Sequence, residues 1–264
     1  RGEKNNKKNK DERADIVIYK TTNKTKRDKK EDVLGIVETK RPTRKEGVKQ
    51  LMSYMTATSS LWGVWTNGEE IEYLYKNPET GETKRDYIFQ IPKKGETIET
   101  IGHISKSKLK PVKNLKPIFK RILKTLYANT NISRKEKLGS EMIRLLFCKI
   151  MDEKYNQNAI PEFRILPDEN PETAKKRIDK LFKEVRDELT EDGVFDESEK
   201  INLDAKSVAY VIGELQSFSL LKTEKDVIGE AFETFAESKL VGDKGEFFTP
   251  REVVKTAIKI IDPQ

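Results

Sequence analysis

The sequence predicts an α/β protein in which a small mixed β-sheet, with one helix packed on it, precedes an all-α region. Over the first hundred residues, short apolar runs rich in β-branched side chains are separated by turn-forming residues, which is typical of strands. Beyond about residue 101 the apolar residues recur at spacings of three and four, which indicates helices. Hydrophobic residues make up 35% of the 264 residues, enough for packed cores of modest size.

A hairpin is predicted at the start of the sheet. Residues 14–20 (ADIVIYK) and 33–40 (VLGIVETK) are apolar and β-branched, whereas the NKTKRDKKED between them is too polar for a core. We therefore expect two antiparallel strands joined by a long basic tip.

One helix and three more strands complete the predicted sheet. Four apolar residues recur at i, i+3, i+4 and i+7, which predicts the buried face of a helix over residues 45–58. They are Val48, Leu51, Met52 and Met55. Turn-forming NG and NPETG separate further strand-like runs at 61–66, 71–76 and 86–91. The predicted element order is ββαβββ.

The chain divides into three predicted parts. We assign residues 1–100 to the sheet domain, 101–134 to a basic connector and 135–264 to a helical domain. The connector contains KSKLKPVKNLKP, whose lysines and prolines are typical of a linker between domains. The helical domain is predicted to hold helices at 135–155, 171–189, 205–221, 224–240 and 250–261.

Residue composition excludes several kinds of chemistry. Cys148 is the sole cysteine and His103 the sole histidine, which argues against disulfides, multi-ligand zinc sites and a Ser-His-Asp triad. Any chemistry must therefore come from carboxylates and lysines. No apolar run approaches the ~20 residues that span a bilayer. We expect a soluble, cytoplasmic protein with no membrane partner.

The net charge of +7 is unevenly distributed. Residues 1–50 hold 17 Lys and Arg against 9 Asp and Glu, and ten basic residues but no acid lie between Glu99 and Glu136. Both stretches are candidate surfaces for contacting phosphates. Solvated faces or tails are the alternative interpretation of such lysine runs.

Two carboxylates and a lysine form a candidate catalytic cluster. Glu38 and Lys40 stand two apart, so strand alternation points both to one side of the sheet. In an antiparallel hairpin, Asp15 at the head of the first strand falls beside Glu38. The two carboxylates, helped by the Thr39 carbonyl oxygen, would bind Mg²⁺.

The chemistry that follows from this cluster is phosphodiester hydrolysis. The metal would activate a water, which Lys40 would orient or help deprotonate. An isolated D…ExK pattern has low specificity in a Lys-rich chain. Here, however, both carboxylates lie in apolar strands, where a charge is costly without a function or partner.

The segments ADIVIY, GIVETKRP, QLMSY and WGVWTNG, in this order over residues 13–76, resemble the PD-(D/E)xK nucleases. The similar branch is that of restriction subunits and of enzymes that fuse a nuclease to a methyltransferase. The resemblance implies a restriction-endonuclease-like fold in which Asp15, Glu38 and Lys40 bind metal and cleave DNA. The glutamate that this family carries on a helix before the Asp strand has no clear counterpart here.

The Q-x-x-x-Y signature of the same family corresponds to Gln50 and Tyr54. As an i, i+4 pair they share one face of the predicted helix, which we expect to lie opposite the apolar stripe. That position suits contact with DNA or with the active-site residues. A partly exposed surface pair fits the periodicity equally well.

The C-terminal GEFFTPREVV, at 245–254, resembles the entrance to the catalytic domain of adenine-N6 DNA methyltransferases, as in type I modification subunits. The resemblance implies a contribution to an S-adenosylmethionine pocket from Phe247, Thr249, Pro250 and Val253. An ordinary helix-capping sequence explains Thr249 and Pro250 as well. Since the D-P-x-x-G and N/D-P-P-Y/F motifs are missing, we expect S-adenosylmethionine binding only in a longer chain.

Together these observations predict the N-terminal part of a restriction-modification enzyme that hydrolyses double-stranded DNA with Mg²⁺. Target choice would reside in a DNA-specificity domain or subunit. Two alternatives remain: a non-catalytic DNA-binding or assembly module, and a methyltransferase regulatory domain that docks a specificity subunit. Trp62 and Trp65 are expected to pack in the core rather than to stack on bases.

Overall fold

The computed structural model describes residues 14–20, 30–130, 135–156, 158–190, 194–229 and 231. The chain forms two compact units, Arg1–Arg85 and Asp86–Gln264. This division lies before the boundary that the sequence predicts near residue 100. Residues that follow Arg85 pack within the second unit, where Phe89 meets Gly213 and the Gln216 amide donates to Gln90 Oε1 over 3.0 Å.

The first unit is a five-stranded mixed sheet with one helix. Its elements are β1 (Ile16–Tyr19), β2 (Val33–Thr39), α1 (Val48–Thr56), β3 (Trp62–Thr66), β4 (Ile71–Lys76) and β5 (Thr83–Arg85). The strands stand in the order β1-β2-β3-β4-β5, with β2 and β3 parallel and the other pairs antiparallel. The mixed sheet and the ββαβββ order are confirmed. The strand predicted at 86–91 is wrong, because the fifth strand of this sheet is Thr83–Arg85.

Helix α1 packs on the sheet through its predicted apolar face. Val48, Leu51 and Met55 are buried, and they share a hydrophobic cluster with side chains of β2, β3 and β4. Those partners are Val33, Ile36, Trp65 and Leu74. The helix comes so close to β3 that a Cβ added at Gly63 would lie 2.6 Å from Met55 Sδ. This packing fixes which face of the sheet α1 covers.

The second unit is mainly helical. Its helices are α2 (Lys116–Asn129), α3 (Lys135–Tyr155), α4 (Pro171–Leu189) and α5 (Ala205–Leu215), and a two-stranded parallel sheet joins β6 (Lys110–Pro111) to β7 (Phe218–Ser219). The predictions of α3 and α4 are confirmed. Asn170 caps α4 by accepting from the Glu172 N–H over 2.9 Å. The predicted helix over 205–221 ends earlier, at Leu215, because the chain then enters β7.

The segment 101–134 is more than a connector. It contains β6 and the whole of α2, whose apolar face of Phe119, Ile122 and Leu126 is buried. The predicted helix over 224–240 is described only in its first turns, and the predicted helix over 250–261 lies outside the described residues. Among the helices that the structure describes, none is long and apolar enough to cross a membrane.

Candidate active site

The hairpin register places Asp15 and Glu38 at the same end of the β1–β2 pair. Ile16 pairs with Val37 across β1 and β2, and Asp15 and Glu38 adjoin this terminal pair. Glu38 pairs with Trp65, which packs with α1, so Glu38 lies on the face of the sheet that α1 covers. Asp15 and Lys40 interact electrostatically.

Glu38 is a buried carboxylate with one free oxygen. Its residue surface is 1% exposed, and its Oε1 pairs with the Lys40 ammonium, whose side chain is 20% exposed. The second oxygen, Oε2, is buried and has no hydrogen-bond partner within the described part of the chain. A buried polar atom without a partner is energetically costly, and Glu38 Oε2 is one of five such side-chain atoms among the described residues.

Lys40 lies among several groups that favour its charged form. The hydrogen bond to Glu38 raises the pKa of Lys40, and electrostatic interactions with Glu38, Asp15 and Tyr54 act in the same direction. The amine is therefore an ammonium at neutral pH. This protonation favours a role in binding or orienting oxygen atoms over the alternative role of taking a proton from water.

Asp15 is exposed and is oriented by the residue that follows Glu38. Its Oδ2 accepts from the Thr39 backbone N–H over 2.7 Å and from Thr39 Oγ1 over 2.9 Å. The backbone hydrogen bond is the main cause of the lowered pKa of Asp15. Oδ1 accepts no hydrogen bond from the residues that the structure describes. One oxygen thus fixes the carboxylate while the other is available.

Gln50 and Tyr54 are hydrogen-bonded to each other in α1. Gln50 Nε2 donates to the Tyr54 hydroxyl over 2.6 Å. Tyr54 is half-buried against the hydrophobic cluster, so its expected position opposite the apolar stripe is wrong. The reason is that Tyr54 follows Leu51 by three residues, which separates the two side chains by only ~60° around the helix. The electrostatic coupling of Tyr54 to Lys40 links this pair to the carboxylates.

Three residues that the sequence analysis did not assign to the site position the loop that follows Lys40. Trp65 Nε1 donates to the Glu46 carbonyl oxygen over 3.0 Å. Asn67 Nδ2 donates to the carbonyl oxygens of Pro42 and Arg44, each over 3.1 Å. Trp65 is also 1% exposed, which confirms its predicted core position.

Gly47 is the third of these residues. Its φ of 120° is one that side chains rarely adopt, and a Cβ there would lie 2.7 Å from Lys40 Cε. The lysine stem therefore runs against the glycine backbone. The available signals were a glycine immediately before a helix and the Asn of the turn sequence TNG, which indicated a turn but not its contact with residues 42–44.

The oxygen atoms around Lys40 fit a two-carboxylate magnesium site. Glu38 Oε2 lacks a partner and Asp15 Oδ1 is available, and Mg²⁺ binds through one or two carboxylates while keeping several waters. The described residues contain no group of three or more His, Cys, Asp or Glu side chains that could hold a metal. The four residues expected in a cofactor pocket, Phe247, Thr249, Pro250 and Val253, lie outside the described residues.

Comparison with known protein families gives two matches. Residues 4–92 match the model of the type I restriction enzyme R protein N terminus. Residues 223–264 match the model of the N-6 DNA methylase family. The chain resembles two restriction-modification components. No curated protein matches it.

The two matches cover different ends of the chain. The restriction-enzyme match includes β1 to β5 and therefore every residue of the Asp15, Glu38 and Lys40 cluster. The methylase match includes residues 245–254, where the sequence resembles an adenine-N6 methyltransferase. Both resemblances drawn from the sequence motifs are confirmed, and such components act on DNA.

Proposed function

We propose that the sheet unit is a Mg²⁺-dependent DNA endonuclease within a restriction-modification enzyme. The observation that carries the proposal is the buried Glu38 carboxylate, whose Oε2 lacks a partner beside Asp15 and Lys40. A buried and incompletely satisfied carboxylate lowers stability, and such groups are retained at functional sites.

Each residue of the cluster has a separate role in this proposal. Mg²⁺, held by Glu38, Asp15 and the Thr39 carbonyl oxygen, would supply an activated water and neutralise charge on the scissile phosphate. Thr39 fixes Asp15 by its two hydrogen bonds, so this carboxylate loses little conformational freedom on binding. Lys40 carries a positive charge that suits a phosphate oxygen or the attacking water. Tyr54, held by Gln50, adds a hydroxyl on the same side.

The remaining parts of the proposal concern the rest of the enzyme. The C-terminal segment would begin an adenine-N6 methyltransferase domain, with Phe247, Thr249, Pro250 and Val253 near S-adenosylmethionine in a longer chain. A DNA-specificity domain or subunit would choose the target sequence. The enzyme would act on double-stranded DNA in the cytoplasm.

A second candidate function is a non-catalytic module that binds DNA or docks another subunit. It is favoured by the Glu38–Lys40 ion pair, which compensates the buried charge without any metal. In that case the nuclease fold would persist as a scaffold. The two functions differ in whether the cluster binds a divalent ion and cleaves DNA.

Nicking of supercoiled plasmid by the purified chain in Mg²⁺ tests the proposal. We expect Glu38→Gln and Asp15→Asn each to reduce the nicking rate by about 100-fold or more, since each removes a ligand of the metal. Calorimetric titration with Mn²⁺ should show binding to the wild type and none to Glu38→Gln. Circular dichroism spectra establish that the variants are folded.

Glu79→Gln is the matched control, because Glu79 is an exposed carboxylate of the same unit, outside the cluster. It should nick at the wild-type rate. Two outcomes would contradict the nuclease proposal and favour the non-catalytic module. One is a wild-type chain that binds no divalent ion, and the other is a Glu38→Gln variant that nicks as fast as the wild type.

A further inference from the structure

Helix α2 carries an unbalanced positive charge on its outer face. Lys116, Lys120 and Lys124 stand at i, i+4 and i+8, and Tyr127 continues the same stripe. The opposite face, formed by Phe119, Ile122 and Leu126, is buried in the helical unit. We call the four outward residues the α2 stripe.

The lysines of the α2 stripe differ from those of an ordinary solvated helix. Helix α4 contains six basic and five acidic residues, and two of its lysines form i, i+4 ion pairs, Lys175–Asp179 and Lys180–Glu184. Helix α2 contains four basic residues and no acid. Its sequence therefore offers no i, i+4 partner that would neutralise the stripe.

A contact from a neighbouring element neutralises one of the basic side chains of α2. Arg121 forms an ion pair with Glu214 of α5. Lys120 and Lys124 are exposed and form no ion pair with any residue in the described ranges. Tyr127 is 53% exposed at the end of the stripe. Lys120 and Lys124 thus present uncompensated positive charge on the outer face of α2.

We propose that the α2 stripe is a second DNA-binding surface, located in the helical unit, which holds the phosphate backbone of duplex DNA. The inference rests on the proposed function in so far as DNA is the substrate. Lysines one helical turn apart lie about 6 Å from each other along the axis. A duplex presents one charge per ~1.7 Å of its axis, so such a row finds phosphates in any sequence. The stripe therefore supplies affinity and no sequence preference.

The salt dependence of DNA binding, measured in EDTA, tests this surface. Fluorescence polarisation of a labelled 30-base-pair duplex with the full chain gives the slope of log Kobs against log salt concentration. We expect the slope of Lys120→Gln/Lys124→Gln to be smaller in magnitude by about 2, because each lysine that contacts a phosphate contributes about 1. Binding should weaken for every duplex sequence alike.

The matched control is Lys180→Gln/Lys183→Gln, which removes the same charge from exposed positions of α4 in the same unit. Its slope should equal that of the wild type. An equal slope for the α2 double variant overturns the inference. Loss of binding to phosphatidylserine vesicles without loss of DNA binding overturns it too, and assigns the stripe to a membrane surface.

The outcome is separable from that of the nuclease proposal. Asp15→Asn should keep the wild-type slope in EDTA, since metal is absent from the assay. If the chain binds DNA through the stripe but never nicks plasmid, only the nuclease proposal fails. If the chain nicks plasmid and the α2 double variant keeps the wild-type salt dependence of DNA binding, only the inference about the α2 stripe fails.

Discussion

Glu38 connects the stability of the fold with the proposed function. Burial to 1% exposure would be unfavourable for a carboxylate alone, and the Lys40 ammonium compensates it through one oxygen. The other oxygen has no hydrogen-bond partner in the described structure. In the absence of metal, Lys40 thus supplies the positive charge that a divalent ion would supply in the proposed active state.

The Glu38–Lys40 pair leads to a prediction about stability. In urea denaturation at pH 7 with EDTA, Lys40→Ala should lower the free energy of unfolding by about 2 kcal/mol, because Glu38 is left buried and unpaired. The double variant Glu38→Gln/Lys40→Ala should recover most of this loss. Lys45→Ala removes an exposed pair with Glu70 and should leave the unfolding midpoint unchanged. If the double variant is as unstable as Lys40→Ala, the Glu38–Lys40 ion pair is not the source of the lost stability.

The stabilisation that the Glu38–Lys40 pair provides depends on pH in a definite direction. Glu38 raises the pKa of Lys40 above its ordinary 10.5, so the folded state binds the proton more tightly than the unfolded chain. The stabilisation is therefore complete below pH 10.5 and is lost as the pH rises through the raised pKa. The difference in stability between wild type and Lys40→Ala should narrow in that range.

At the scale of elements, close backbone approach decides where glycine is required. Gly213 lies in α5, and a Cβ added there would overlap the carbonyl oxygen of Phe89. This contact fixes the segment after Arg85 against α5, and it explains why residues 86–91 leave the sheet. Gly229 also has helical backbone, but a Cβ there would meet nothing within 4 Å.

Replacing these two glycines by alanine should change the free energy of unfolding in opposite directions. Gly213→Ala should lower the free energy of unfolding by about 1–3 kcal/mol, because a backbone carbonyl cannot move away cheaply. Gly229→Ala should raise it by up to about 1 kcal/mol, since alanine has the higher helix propensity. Thermal unfolding followed by circular dichroism measures both. Equal changes in the two variants would contradict the close packing of α5 against Phe89.

At the scale of the whole molecule, each unit has its own core, and Cys148 reports on that of the helical unit. The thiol is fully buried in α3, and burial raises the pKa of Cys148 well above its ordinary value. Both effects suppress the reactive thiolate, so this residue is chemically inert while the unit is folded.

Cys148 should therefore react with a thiol reagent such as DTNB only through unfolding of its surroundings. We expect native labelling to be about 1,000-fold or more slower than labelling in 6 M urea, which corresponds to an opening free energy of several kcal/mol. Gly213→Ala, which weakens the same unit, should accelerate native labelling. Rapid labelling of the wild type in native buffer would contradict the buried position.

Local sequence patterns determined much of the fold and part of the candidate site. Alternation and helical periodicity act between residues close in the chain, so they predicted β1 to β4, α1, α3 and α4. The same alternation, with a hairpin, predicted the proximity of Asp15 and Glu38, and recognisable motifs predicted the restriction-enzyme and methylase resemblances.

Tertiary structure alone decided the features that depend on residues far apart in sequence. Gln90 bonds Gln216, which is 126 residues away, and such contacts place the domain boundary after Arg85. Pairing with Glu38 fixes the protonation of Lys40, while Asn67 binds a loop 23 to 25 residues earlier. A pattern of side-chain types indicates which residues are apolar or charged. Which partner satisfies a buried charge is known only when the chain is folded.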